Sequence, residues 1–133
     1  MTTAPIKILI IDDDQDRIDQ FIQNNPNCQI DYSLYLEGAF DRFDTSTYDL
    51  ICLDHDLGIS YENIPMDIIP FVKYLRQAHD DGRGGNFKIL VHSANPVGSA
   101  NILSYFSRTS VICDKIHFAW RIPNLFDTLI NRD

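Results

Sequence analysis

A chain of 133 residues, 44% of them hydrophobic, is long enough for one core and too short for two, so a single domain spanning residues 1–133 is expected. Eleven Lys and Arg against nineteen Asp and Glu leave a net charge of −8, which argues against broad contact with a nucleic-acid backbone or an anionic membrane. A small anionic substrate stays admissible where a metal ion inverts the local charge.

The first predicted strand is IKILII, residues 6–11, which runs into Asp12, Asp13 and Asp14. From residue 16 to 24 the apolar positions Ile18, Phe21 and Ile22 recur at helical spacing. A turn at Asn24-Asn25-Pro26-Asn27 leads to a second strand over residues 28–34 and a short helix over 36–43, with Leu36, Ala39, Phe40 and Phe43 on one side. The third strand is the densest stretch, DLICLDHDLG at residues 49–58. Its apolar run reads as a strand buried on both faces, and it delivers Asp54, His55 and Asp56 before Gly58 breaks it. Two acids and a histidine are costly to desolvate unless a metal, a counter-charge or hydrogen bonds receive them, so this strand end points to a site.

Pro65 is placed to start the third helix, with Ile68, Ile69, Val72, Leu75 and Ala78 inward. A Gly-rich loop ends that helix, and residues 87–91 form the fourth strand, followed by HSANPVG. Asn95 is a candidate cap for a helix carrying Ile102, Leu103 and Phe106, with a ligand contact as the second reading. The fifth strand is expected at residues 110–113, with Lys115 just beyond, and the last helix buries Ile122, Leu125, Phe126, Leu129 and Ile130. The three cysteines, Cys28, Cys52 and Cys113, fall within predicted strands as small hydrophobes of a reducing compartment. No secretory leader or membrane span is legible, so a cytoplasmic location is expected.

Strands alternating with helices imply an α/β fold, a doubly wound five-stranded parallel sheet. In such a sheet every strand delivers its carboxyl end to the same edge, where ligands bind. The aspartates after strand one, Asp54, His55 and Asp56 after strand three, His92 and Ser93 after strand four and Lys115 after strand five therefore converge. Alternation along a strand sends His92 and Ser93 to opposite faces, an argument against their sharing one site. Trp120 with Phe118 reads as rim packing or as an aromatic lid over a base.

The pair Asp12-Asp13, the strand-terminal Asp54, Ser93-Ala94 and Lys115 match in order and spacing the motif of response-regulator receiver domains, and the chain resembles that family over its whole length. The resemblance implies the flavodoxin-like strand order 2-1-3-4-5. It further implies Mg²⁺ (or Mn²⁺) held by Asp12, Asp13, Asp54 and the backbone carbonyl of Asp56, phosphorylation of Asp54, and phosphoryl contacts from Ser93 and Lys115. Two positions depart from it: Ile116 stands where receivers usually place proline, and Ile112 where a signalling receiver carries an aromatic switch residue. The strings DHDLG and HSxNxxG bring two added histidines, His55 and His92, and are similar to the atypical receiver-like family proposed to process cyclic phosphates and associated with RNA-end repair. That resemblance implies metal-assisted phosphodiester hydrolysis of a cyclic nucleotide or an RNA 2′,3′-cyclic phosphate end. Asp54, His55 and His92 would then be catalytic, and Ser93, Asn95 and Lys115 would hold phosphoryl oxygens. The other expectation is a single-domain response regulator, phosphorylated on Asp54 by a kinase and acting by docking to a target protein.

Overall fold

The computed structural model describes residues 5–59 and 65–131. Its elements run β1 (Lys7–Ile11), α1 (Gln15–Asn24), β2 (Gln29–Ser33), α2 (Leu36–Thr45), β3 (Leu50–Leu53), β4 (Asp56–Ile59), β5 (Pro65–Asp67), α3 (Ile69–Asp80), β6 (Lys88–Val91), α4 (Pro96–Ser104), β7 (Cys113–Lys115), a 3₁₀ turn η1 (Ala119–Arg121) and α5 (Leu125–Asn131). The main sheet has the order β2-β1-β3-β6-β7 with every pair parallel. This is the doubly wound receiver order expected from the sequence, because the two strands of the separate β4–β5 hairpin fall between the third and fourth sheet strands in chain order.

Two-residue alternation divides the core. Ile8, Ile10, Leu50, Cys52 and Leu90 pack with Ile18 and Phe21 of α1 and Phe126 and Leu129 of α5. Leu9, Ile11, Ile51, Leu53, Ile89 and Val91 pack against α2, α3 and α4 through residues such as Phe43, Phe71, Leu75 and Ile102. β3 is therefore apolar at every position and β1 and β6 at every position after their first lysine, and burying each such side chain contributes about 1.5–3 kcal/mol before entropy is counted. Both faces being closed, only the strand ends offer polar chemistry.

Several boundaries move. Pro65 opens β5 rather than a helix, and α3 starts at Ile69, where Asp67 Oδ1 accepts from the Ile69 amide at 2.9 Å. The fifth sheet strand lies at Cys113–Lys115, not at residues 110–113. As an edge strand it buries one face only, so the polar Asp114 and Lys115 pair with β6 while Ile112 stays 48% exposed. Cys28 precedes β2, and Phe106 is buried in the turn that follows α4. The last helix starts three residues beyond Ile122, which is partly exposed.

That helix start is supplied from far away. Asn25, buried at the end of α1, donates from Nδ2 to the Phe21 carbonyl at 2.8 Å and accepts the Phe126 amide at 3.0 Å through Oδ1. Its neighbour Asn24 donates from Nδ2 to the Trp120 carbonyl at 2.7 Å and accepts the Asn124 amide at 2.7 Å. Two asparagines of a turn thus hold both η1 and α5 against α1.

Candidate functional site

The carboxyl edge of the sheet carries a cavity of about 390 Å³ lined by Asp13, Asp14 and Arg17 from the start of α1, Asp54 and Asp56 after β3, His92, Ser93 and Ala94 after β6, and Trp120 from η1. Carboxylate oxygens of Asp12, Asp13 and Asp54 lie within 4.8 Å of one another. Asp12 and Asp54 are buried, which makes an uncompensated charge on either costly.

The compensation comes from a residue that the sequence motifs do not contain. Arg17 donates to Asp12 twice, Nε to Oδ2 at 2.9 Å and Nη2 to Oδ1 at 2.7 Å, and Nη2 also reaches Asp54 Oδ2 at 3.2 Å and Asp13 Oδ1 at 3.5 Å. Its guanidinium lies 5.4 Å from the centroid of the Trp120 ring. Asp14 caps α1 by accepting the Asp16 and Arg17 amides, which fixes the first helical turn and so aims Arg17 back over the acids. The only sequence signal was its place one helical turn after the aspartate run, at i+4 from Asp13 and i+3 from Asp14.

His92 Nε2 lies 2.9 Å from Asp12 Oδ2, and its ring sits edge-on to Phe21 with centroids 5.2 Å apart. An ionised carboxylate only accepts, so Nε2 carries the proton, and Nδ1 is buried without a hydrogen-bond partner among the described residues. Alternation does turn His92 toward α1 and Ser93 toward α4, where the Ser93 carbonyl accepts the Ser99 hydroxyl at 3.4 Å. Because β6 has already ended at Val91, the two nevertheless wall the same cavity from opposite sides.

Burial raises the pKa of Asp12, but hydrogen bonds from His92 and Arg17 outweigh it and hold the carboxyl at about 2. Asp54 goes the other way: burial, then the negative charge of Asp12, push it up to about 6 against the opposing pull of His92 and Arg17. Burial and the Asp12 charge raise Asp13 as well. One guanidinium faces four acids, Asp12, Asp13, Asp14 and Asp54, and Asp12 takes most of it.

The two histidine motifs interlock. The His55 ring lies where a side chain on Gly98 would stand, so the glycine of HSxNxxG is the slot for the histidine of DHDLG. His55 Nδ1 is 2.9 Å from Asp56 Oδ1, which leaves Nε2 without a partner among the described residues. Asn95 caps α4, accepting the Gly98 amide at 2.9 Å, while its Nδ2 lies 3.4 Å from Asp56 Oδ2. Ser93 Oγ accepts the Asn95 amide at 3.1 Å, leaving its hydroxyl proton free to donate. Gly58, at φ +76°, passes so close to Asp13 that a Cβ would stand 3.1 Å from Oδ2. Asp12, Asp13, Asp54, Asp56, His92 and Ser93 are thus brought together, with His55 and Asn95 behind Asp56. Lys115 is not: it ends β7 exposed, beside Val91, and is neither a cavity wall nor paired with an acid among the described residues.

The comparisons follow the same pattern. Among solved structures, the chain is similar to an orphan response regulator of H. pylori (16% identity, 94% of this chain and 92% of the other, TM-score 0.61). It also resembles a two-component response regulator from Clostridium difficile (22% identity, 84% and 82%, TM-score 0.59). A third is a response regulator from Thermotoga maritima (12% identity, 95% and 95%, TM-score 0.63). At these identities the likeness shows the receiver fold. Among curated proteins, none matches the chain. The sequence profile of the cyclic-phosphate processing receiver domain matches residues 7–108, a span that holds the aspartates, both histidine motifs and Arg17. The chain is a member of the cyclic-phosphate processing receiver domain family.

Proposed function

We propose that the cavity takes a cyclic phosphate and hydrolyses one of its ring P–O bonds, in a cyclic nucleotide or at an RNA 2′,3′-cyclic end. The observation that carries this reading is the meeting of three carboxylates, a guanidinium and a serine hydroxyl in one cavity, with a loop histidine behind Asp56 whose Nε2 has no partner among the described residues.

The donor set fits Mg²⁺ or Mn²⁺, since hard carboxylate oxygens converge there. Asp13 and Asp54 would hold the ion, with Asp12 joining once Arg17 lets go and the Asp56 carbonyl alongside. A divalent ion in this place supplies charge neutralisation and a more acidic water. Asp54 also accepts the proton of the attacking water. Arg17 and the Ser93 hydroxyl donate to the non-bridging phosphoryl oxygens. The new P–O bond forms as the ring P–O bond breaks. His55 enters the step doubly protonated, its Nδ1–H held by Asp56, and gives the Nε2 proton to the departing alkoxide; the proton on Asp54 then returns to Nε2 or to solvent. His92, whose Nε2 is spent on Asp12, acts by positioning that carboxylate. Of the two histidines expected from the sequence to be catalytic, this division leaves only His55 to touch the substrate.

The test is phosphorus NMR of purified protein with Mg²⁺ or Mn²⁺ and a panel of 2′,3′- and 3′,5′-cyclic nucleotides, alongside Asp54→Asn and His55→Ala. Turnover that both variants lose is the expected result, and it identifies the bond cleaved. Absence of turnover, with an Asp54-dependent adduct from acetyl phosphate or beryllofluoride, would instead make the protein a phosphoacceptor that signals by docking.

A further inference from the structure

We infer that Phe118, Trp120 and Arg121 form a nucleobase platform on the rim of the cavity, so that the ligand is a nucleoside phosphate rather than a simple alkyl or sugar phosphate. This rests on the reading of the cavity as a phosphate site. Trp120 is itself a cavity wall, and the Phe118 ring stands 5.6 Å from it, edge to face. Phe118 is 55% exposed and sits at φ +54°, ψ 33°, a left-handed backbone that a bulky aromatic residue rarely adopts. A scattered exposed aromatic needs no explanation, but one displayed at conformational cost beside a polar cavity does.

What holds it there is the shelf below. The Phe118 carbonyl accepts the Arg121 amide at 2.9 Å, Ala119 is fully buried, and Asn24 anchors the Trp120 carbonyl. The Arg121 guanidinium lies 5.1 Å from the Phe118 centroid and pairs with no carboxylate among the described residues, although the chain carries a net charge of −8. Aromatic faces with guanidinium partners stack bases of any identity, so the platform reads "base", not sequence.

Trp120 is the single tryptophan, so its fluorescence reports binding directly. Adenosine 2′,3′-cyclic phosphate, glycerol 1,2-cyclic phosphate and adenosine are titrated into wild type, Phe118→Gly, Phe118→Tyr and Asp54→Asn. The glycine variant relaxes the positive φ, so loss of the ring is not confounded with misfolding. Expected is binding of the adenosine cyclic phosphate about 5- to 100-fold tighter than the glycerol one, a preference that Phe118→Gly abolishes and Phe118→Tyr keeps. Equal affinities in wild type, or a preference that survives Phe118→Gly, would overturn the platform even where glycerol cyclic phosphate is hydrolysed. Phe118-dependent quenching by adenosine, with no cyclic phosphate turned over, would uphold the platform and remove the hydrolytic reading.

Discussion

Replacing Asp54 by Asn should stabilise the protein at neutral pH and remove a defined part of its pH dependence. The native Asp54 carboxyl titrates at about 6 against an ordinary 3.8, so between those values the folded state binds a proton that the unfolded state has released. Stability contributed by the protonated form is complete below about pH 4 and is lost as pH rises through 6. At about 1.4 kcal/mol per tenfold change in proton affinity, the move from 3.8 to about 6 corresponds to about 3 kcal/mol, with little solvent screening because Asp54 is only 7% exposed. Asparagine keeps the neutral shape without the charge, so a gain of about 2–3 kcal/mol is expected at pH 7.5, or roughly 6–10 °C in Tm at this chain length. The assay is urea unfolding from pH 3.5 to 8 in EDTA, read as the difference between variant and wild type so that other carboxylates cancel. That difference should be near zero at pH 3.5–4 and reach its plateau by pH 7. A variant no more stable than wild type at pH 7.5, or a difference that does not change with pH, would refute the account of an acid cluster short of positive charge.

Arg17→Ala should cost about 2–4 kcal/mol in EDTA, because it leaves Asp12 buried beside Asp54 without its guanidinium partner, and excess Mg²⁺ should restore more stability than it adds to wild type. Equal Mg²⁺ effects on the two proteins in thermal unfolding would argue against competition between the guanidinium and a cation. Gly98→Ala should destabilise by about 1–3 kcal/mol despite alanine's better helix propensity, since its methyl enters the His55 ring, and adding His55→Ala should relieve most of that loss. Additive effects in the double variant, measured by urea unfolding, would exclude the interlock. Below pH 4 wild type should lose stability progressively toward pH 2, because Asp12, held at about 2, contributes only while ionised; an acid-unfolding curve flat over that range would contradict its pairing.

The central sheet was legible because Ile8 to Ile11 and Leu50 to Leu53 are apolar without interruption, a pattern that only strands buried on two faces require at that length. The acids at the strand ends were legible for the same reason, since a strand places its last residue on a known edge. Arg17 was not: on a sequence it is one more helix-surface base, and its role appears only when the Asp14 cap sets the first turn of α1. Gly98 and His55 are 43 positions apart, and no local rule couples a missing Cβ to a distant ring. Lys115 was assigned by spacing, but the edge strand slid toward it and ended on it, leaving the cation outside the cavity. The β4–β5 pair was hidden because three- and four-residue strands carry too little periodicity to stand out.

Asn24 and Asn25 also set an order of events. Their bonds to Trp120 and Phe126 span 96 and 101 residues, so the entropy of closing almost the entire chain must be met before either forms. The shelf carrying Trp120 and the last helix should therefore dock late in folding, after the first strand and helix exist to receive them. The same segment should open first in the native state, exchanging its amide hydrogens faster than the β1–β3 ladder. On that expectation this wall of the cavity opens before the β1–β3 ladder does, and its residence time would set how long the cavity stays closed toward solvent on that side.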